Sequence, residues 1–366
     1  MSDIYSSWIL PDLTDLTYIQ ELKNQGLEYP CIEYIRFAKQ GTLNGEDGGA
    51  GFINGNSSVY VMSMDWFGGF SYTPENAQAV SNMFVDKYVT ISGTLETGVL
   101  EMLQMGTQQE DNTIEAIVSW VKSIGFNGID LNIEGISHFI IHEELIPNFV
   151  SFLERFVERT HQEGMKFRFT TVPESLIRGA NLQNHGPWRN SMVSHIPFDY
   201  IVLMAYDAPN NEGFVANCPF DFLEDAIQSA QQSFPNNKIV AGLPNYGFVQ
   251  LANDAYTTRI FYIEEAIKEY EYDLMTERDP LSGELYRQYE TKIWPRSPEP
   301  PQLCNVYFSD YTALQQKMER CRNLGITHFS LWVGRKGSDF FTKDNQTGQP
   351  EPTPAPAPEP TPAPEP

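Results

Sequence analysis

Basic residues are scarce in this chain. Lys and Arg number 24 against 48 Asp and Glu, a formal net charge of −24. That balance excludes a nucleic-acid face and leaves little affinity for anionic membranes, and the excess acid reads as solubility. Cysteine is scarcer: Cys31, Cys218, Cys304 and Cys321 are the whole set, and they lack metal-ligand spacing. They can form up to two disulfides or none, and a chain of 366 residues does not need them to fold. Long apolar runs are missing too. No stretch is long enough to cross a bilayer, and residues 1–30 lack a basic start with an apolar run behind it. Neither a membrane span nor a secretory leader is therefore read from the chain.

What is present suffices for one large core: 41% of residues are hydrophobic and 13% aromatic. The most informative stretch is Asn127-Gly128-Ile129-Asp130-Leu131-Asn132-Ile133-Glu134. Ile129, Leu131 and Ile133 alternate with Asp130, Asn132 and Glu134, which is the period of a β-strand with one apolar and one polar face. No Lys or Arg lies within it to pair with the acids. Unpaired carboxylates are costly to bury, so such a strand points to chemistry. The competing reading is a solvent-facing edge strand.

The flanks favour a parallel α/β unit. Asn112 with Glu115 resembles a capped helix start, Ile114, Ile117, Val118, Val121 and Ile124 recur at helical spacing, and Gly125 sits at the C-cap. A second amphipathic helix covers Leu145 to Glu163, and Gly164 ends it. The same rhythm predicts eight strands. They are Ile32–Phe37, Ser58–Met64, Tyr88–Ser92, Asn127–Glu134, Phe167–Val172, Tyr200–Tyr206, Lys238–Leu243 and Thr327–Val333. Later helices are expected over Asp221–Ser233 and Tyr311–Leu324. Eight strands alternating with helices imply a (β/α)8 TIM barrel. The stretch from Gln250 to Asn305 is too long for a joint and reads as an insertion between the seventh strand and its helix, with helix expected around Ile263–Glu271. From residue 344 the chain alternates Pro with Ala, Thr and Glu, which suits an extended linker or stalk. The expected organisation is a barrel over residues 1–343 and a stalk over 344–366.

In such barrels the working residues sit at the C-terminal ends of the strands. Glu134 ends the fourth strand, Met204, Tyr206 and Asp207 end the sixth, Tyr246 follows the seventh, and Trp332 lies near the end of the eighth. Acids, an amide, tyrosines and a tryptophan floor suit a sugar. Taken alone, each aromatic also reads as a core residue. Trp66 and Phe67 after the second strand, and Trp188 after the fifth, are candidate sugar platforms, or rings buried by loops that Gly68-Gly69 and Pro187 shape.

These motifs resemble glycoside hydrolase family 18, the chitinases and related endo-β-N-acetylglucosaminidases, from the first strand to Val333. Gly128, Asp130 and Glu134 match the family's Asp-Gly-x-Asp-x-Asp-x-Glu, while Asn127 and Asn132 depart from it. Met204, Tyr206 and Asp207 match its Met-x-Tyr-Asp. Gly242, Pro244, Tyr246 and Gly247 match its Gly-x-Pro-x-Tyr-Gly, Trp332 matches its last tryptophan, and Ser92-Gly93 is a remnant of Ser-x-Gly-Gly.

The resemblance implies a retaining hydrolase of β-1,4-linked N-acetylglucosamine, with Glu134 as general acid and no protein nucleophile. The substrate's own acetamide oxygen attacks, an exception to the two-carboxylate scheme. Position 132 would orient the acetamide, Asp130 would support position 132, Tyr206 would hold the acetamide carbonyl, and Asp207 would bind the sugar region. Asn132 can still accept a hydrogen bond but brings no charge. Leu131-Asn132-Ile133-Glu134 also resembles the Asn-x-Glu pair of glycoside hydrolase family 85. The alternative is a carbohydrate-binding barrel without catalysis. The resemblance carries no cofactor and no metal, and the reading expects a monomer, a glycan partner, no membrane insertion and a secreted or extracellular setting.

Overall fold

The computed structural model describes residues 2–9, 16–38, 49–52, 61–66, 70–71, 73–94, 98–134, 143–174, 189–208, 216–251, 257–260, 277–292 and 300–334. Of residues 49–52, 61–66, 70–71, 257–260 and 333 it describes the backbone alone. Eight parallel strands close into a barrel. They are β1 (Ile4–Ile9), β2 (Tyr29–Phe37), β3 (Tyr88–Thr94), β4 (Gly128–Glu134), β5 (Lys166–Thr171), β6 (Tyr200–Met204), β7 (Ile239–Pro244) and β8 (His328–Gly334). Each pairs with the next in parallel, and β1 closes the circle, with Ile4 opposite His328 and Ser6 opposite Tyr29.

The alternation in β4 sorts its side chains as expected. Ile129, Leu131 and Ile133 join the main apolar core, which lies between the barrel and the helices. There they share a cluster with Ile117, Val118 and Val121 of the helix Thr107–Ser123, and with Phe149, Phe152 and Phe156 of the helix Ile146–Gln162. Each such side chain contributes roughly 1.5–3 kcal/mol by leaving water. The opposite parity fills the barrel, where Trp8, Cys31, Tyr88, Val202, Met204, Tyr206, Val240 and Tyr246 cluster. Gly128 belongs to that interior: a Cβ there would lie 2.3 Å from the Tyr88 ring, so the missing side chain makes room for it.

Two of the strand expectations are corrected. The first barrel strand is Ile4–Ile9, and the second is the one expected as the first. Val61–Trp66 is no barrel stave, since it pairs antiparallel with the end of β2, Ile35 opposite Ser63. A parallel return needs a crossover of a dozen or more residues, usually through a helix, whereas an antiparallel partner needs only a hairpin. The helix before β4 begins at Thr107, not at Asn112. Its first turn is fixed instead by Arg155, which pairs with Glu110 and, at 2.7 Å, with Asp111. Gly125 does end that helix in the left-handed region, at φ 79°.

The expected insertion after the seventh strand is a five-stranded antiparallel sheet, ordered Thr257–Ile260, Gly247–Leu251, Gln302–Phe308, Leu285–Thr291, Glu277–Arg278. The helix expected around Ile263–Glu271 and the stalk lie outside the described residues. A buried ion pair, Lys317 Nζ to Glu284 Oε1 at 3.1 Å, fastens the sheet to the helix Tyr311–Asn323. All four cysteines are buried free thiols. No helix among the described residues is long and apolar enough to cross a membrane.

Candidate active site

The inner face of β4 runs from closed to open. Asp130 is fully buried, Asn132 is half-buried, and Glu134 is exposed at the C-terminal mouth. Successive inward residues on a strand stand about 6–7 Å apart, so these three mark three levels of the barrel.

Asp130 is a cross-barrel brace. Its Oδ2 accepts from Trp8 Nε1 of β1 at 2.8 Å and from Thr90 Oγ1 of β3 at 2.9 Å, and its Oδ1 accepts from Thr170 Oγ1 of β5 at 2.8 Å. Arg168 of β5, also fully buried, brings its Nε to 3.5 Å from Oδ1. Burying a carboxylate is tolerable with this many partners.

One level up, Asn132 Nδ2 donates to Glu134 Oε1 at 3.1 Å. Against an ionised carboxylate only the nitrogen side of the amide can donate. Among the described residues, Asn132 Oδ1 is buried without a hydrogen-bond partner. An unsatisfied buried acceptor is costly, on the order of 1–3 kcal/mol, and invites a donor from a ligand.

The sixth strand delivers its residues through a strained turn. Asp207 is the one non-glycine residue with positive φ among the described residues, at 54°. Its backbone N–H donates to Asn217 Oδ1 at 2.8 Å, and its carboxylate accepts from the Tyr246 hydroxyl. Tyr246 is fully buried and meets Tyr206 edge-on, with ring centroids 6.2 Å apart. Tyr246 thus backs Tyr206 and Asp207 rather than lining open space. Asn217 is held in turn by Glu284 of the inserted sheet, whose Oε2 accepts from its N–H at 3.0 Å. Met204 is buried in the inner cluster, and half-buried Trp332 packs beside it. Trp332 lies edge-on to Trp8 at 6.3 Å.

The structure thus brings Asp130, Asn132, Glu134, Met204, Tyr206, Asp207, Tyr246 and Trp332 to the inside and C-terminal end of one barrel. Trp66 ends the strand Val61–Trp66, but its side chain lies outside the described residues, as do Phe67 and Trp188. No group of three or more His, Cys, Asp or Glu among the described residues could hold a metal ion.

Several participants were not foreseen. Trp8, Thr90, Thr170 and Arg168 converge on Asp130 from three strands, and nothing in their own segments marks them. Glu33 of β2 is different. It is buried, its carboxyl bonds the Ser92 side chain of β3, and burial, opposed by Ser92 and aided by Glu134 and Asp130, pushes it up to about 7. A signal existed: Glu33 and Arg36 are charged residues three apart in an otherwise apolar strand, a spacing that regular alternation cannot place on one face.

No protein-family model matches the chain, and a search of curated proteins finds no relative. Solved structures do resemble it. The chitinase of Chromobacterium violaceum superposes with a TM-score of 0.70 at 13% identity, over 93% of this chain and 96% of that one. The spore cortex-lytic enzyme SleL of Bacillus cereus gives 0.67 at 16% identity, over 93% and 72%. The class V chitinase of Pseudomonas fluorescens gives 0.66 at 16% identity, over 92% and 97%. The chain therefore has the fold of these proteins, a chitinase-like TIM barrel.

Proposed function

We propose that the chain is a retaining glycoside hydrolase of family 18 type. Its substrate class is glycans with β-1,4-linked N-acetylglucosamine, such as chitin, chitooligosaccharides or N-glycan cores. The observation that carries this reading is the pair at the mouth: an exposed Glu134, and beside it an amide whose carbonyl oxygen is buried and unpartnered. An acetamide N–H is a donor that suits that oxygen. With the sugar seated there, the acetamide oxygen attacks the anomeric carbon as the glycosidic C–O bond breaks, and Glu134 gives its proton to the leaving oxygen. Water then opens the oxazolinium from the same face as the departed group and returns a proton to Glu134, so configuration is retained. Tyr206 holds the acetamide carbonyl, Asp207 binds the sugar region, and Tyr246 keeps Asp207 in place. Trp332 offers a face for the ring. Met204 packs beneath.

A second reading is a glycan-binding barrel without turnover, favoured by one observation: position 132 carries an amide and no charge. Chromophore release from chitobiose and chitotriose glycosides separates the two. The hydrolase reading expects turnover in the wild type, its loss by on the order of 10²–10⁴ in Glu134→Gln, and retained oligosaccharide binding in that variant. Binding with no turnover by the wild type establishes the binder.

A further inference from the structure

Strand β2 breaks its own alternation. Glu33 lies opposite Thr90 of β3, but the next paired positions are Ile35 with Ile91 and Arg36 with Ser92, so two residues of β2 span one step of β3. Such a bulge re-aims the side chains beyond it, and bulges concentrate beside active sites. Here Tyr34 and Ile35 both go outward. The Tyr34 ring meets Phe126 at 5.8 Å and Trp120 at 6.5 Å, and Ile35 joins the outer core. Glu33 and Arg36 are consequently left on the inner register. Their partner strand carries Thr90 and Ser92, and those pair in turn with Asp130 and Asn132 of β4. Glu33 reaches up to the Ser92 side chain, hence to the level of Asn132, one step below Glu134.

We propose that Glu33 is the second acid of the site, a positioning residue that supplies from β2 the negative charge that Asn132 does not bring on β4. The inference rests on the hydrolase reading for its purpose. A substrate-assisted reaction develops positive charge on the sugar and oxazolinium, and a nearby carboxylate stabilises it. Burial, opposed by the Ser92 bond and reinforced by Glu134 and Asp130, pushes the Glu33 carboxyl up to about 7, so it carries its charge from the neutral range upward. The charged groups around it are Glu134 and Asp130 of β4 and Arg36 of its own strand, and Asp130 is offset by Arg168 of β5.

Glu134→Gln tests this and the hydrolase reading with separate readouts. Glu134 is exposed, so the variant folds. In ¹³C NMR of the glutamate carboxyl carbons, Glu33 of the wild type titrates near neutrality. In Glu134→Gln its midpoint falls by roughly half a unit to one unit as the like charge disappears. An unmoved midpoint overturns the inference, whether or not the wild type turns over. A moved midpoint in a protein without turnover overturns the hydrolase reading and leaves the acid pair standing. In the active enzyme, Glu33→Gln lowers kcat about 10- to 100-fold. It removes the limb near neutral pH from the kcat/KM profile, and Glu33→Asp restores part of kcat and of that limb. A uniform loss at every pH, with that limb in place, means Glu33 is only packing and overturns the proposal.

Discussion

The floor and the mouth of the barrel are built from the same strands and the same inward parity, yet they treat charge in opposite ways. At the floor Arg168 and Asp130 neutralise each other in full burial, and aromatic groups pack around them. The Arg168 guanidinium lies 5.2 Å from the centroid of the Tyr88 ring, and His328 stands edge-on to Tyr200 at 4.9 Å. Burial, with help from Arg168 and Lys166, holds His328 well below its ordinary range and therefore neutral. Among the described residues, the acids around Glu33 outnumber its one neighbouring cation, Arg36. Glu134 is exposed, Glu33 is buried yet near its titration point, and Asn132 keeps an acceptor unused. The floor has each formal charge matched, which is what a brace needs. Among the described residues the mouth holds an excess of acid and a spare acceptor, which is what proton transfer and ligand capture need.

Removing one partner at the floor gives the largest expected effect on folding. Arg168→Met leaves Asp130 buried without its cation, and the cost is about 3–5 kcal/mol in urea unfolding. The double variant Arg168→Met with Asp130→Asn recovers part of that loss. A cost under about 1 kcal/mol for the single variant would mean that Trp8, Thr90 and Thr170 alone suffice for Asp130.

At the mouth, Tyr206→Phe is expected to lower kcat by about 10- to 1000-fold, the range for losing one hydrogen bond aimed at developing charge. Its unfolding midpoint should barely move. A variant with wild-type turnover would make Tyr206 a packing residue.

Glu33 sharpens the contrast through pH. Its carboxyl is raised from 4.5 to about 7 in the folded protein. Below about pH 4.5 it is protonated in both folded and unfolded chains and contributes nothing. Between about 4.5 and 7 the unfolded chain ionises first, so folding stability declines as pH rises, and above 7 the full cost applies. Glu33→Gln should therefore be more stable than the wild type at pH 8 by roughly 1–3 kcal/mol, with the advantage vanishing at pH 4. An equal difference at both values would show that ionisation is not the cause.

The legible parts of this molecule are those where local pattern and tertiary role agree. Period two in β4 gave both its register and its polar face, because the outer side packs on helices and a one-residue slip would invert it. Strand β1 escaped notice because Ser6 and Ser7 interrupt its apolar run. Both are buried, on opposite faces of the strand, and Ser7 Oγ donates to Leu331 O at 3.0 Å across the closure. Ser58–Met64 was expected as a stave, but the strand there, Val61–Trp66, pairs antiparallel, which is a matter of topology, not composition. The motif residues at the strand ends were readable because of their spacing. Glu33 left only its irregular spacing to Arg36 as a signal, since its place depends on a bulge that only the pairing with β3 defines. Asp130 was expected to support position 132, and its bonds to three other strands could not be read from a single segment.

The smallest expected effect belongs to Asn132→Asp. The bond from Asn132 Nδ2 to Glu134 Oε1 requires a donor, and a carboxylate has none. Aspartate would keep the acceptor for the acetamide N–H and add negative charge beside the cationic intermediate, at the cost of repulsion between two or three acids at the mouth. These effects oppose each other, so turnover on chitooligosaccharides should stay level or rise by no more than about 10-fold. Asn132→Ala keeps neither acceptor nor donor and should lose more, about 100-fold in kcat. The order of the three proteins decides how position 132 works. If Asp is at least as active as Asn, and Ala lags both, position 132 orients the acetamide as in family 18. If Asp is as inactive as Ala, the amide donor is essential, and the chemistry follows the Asn-x-Glu pattern, with the contact from Asn132 to Glu134 as its working element.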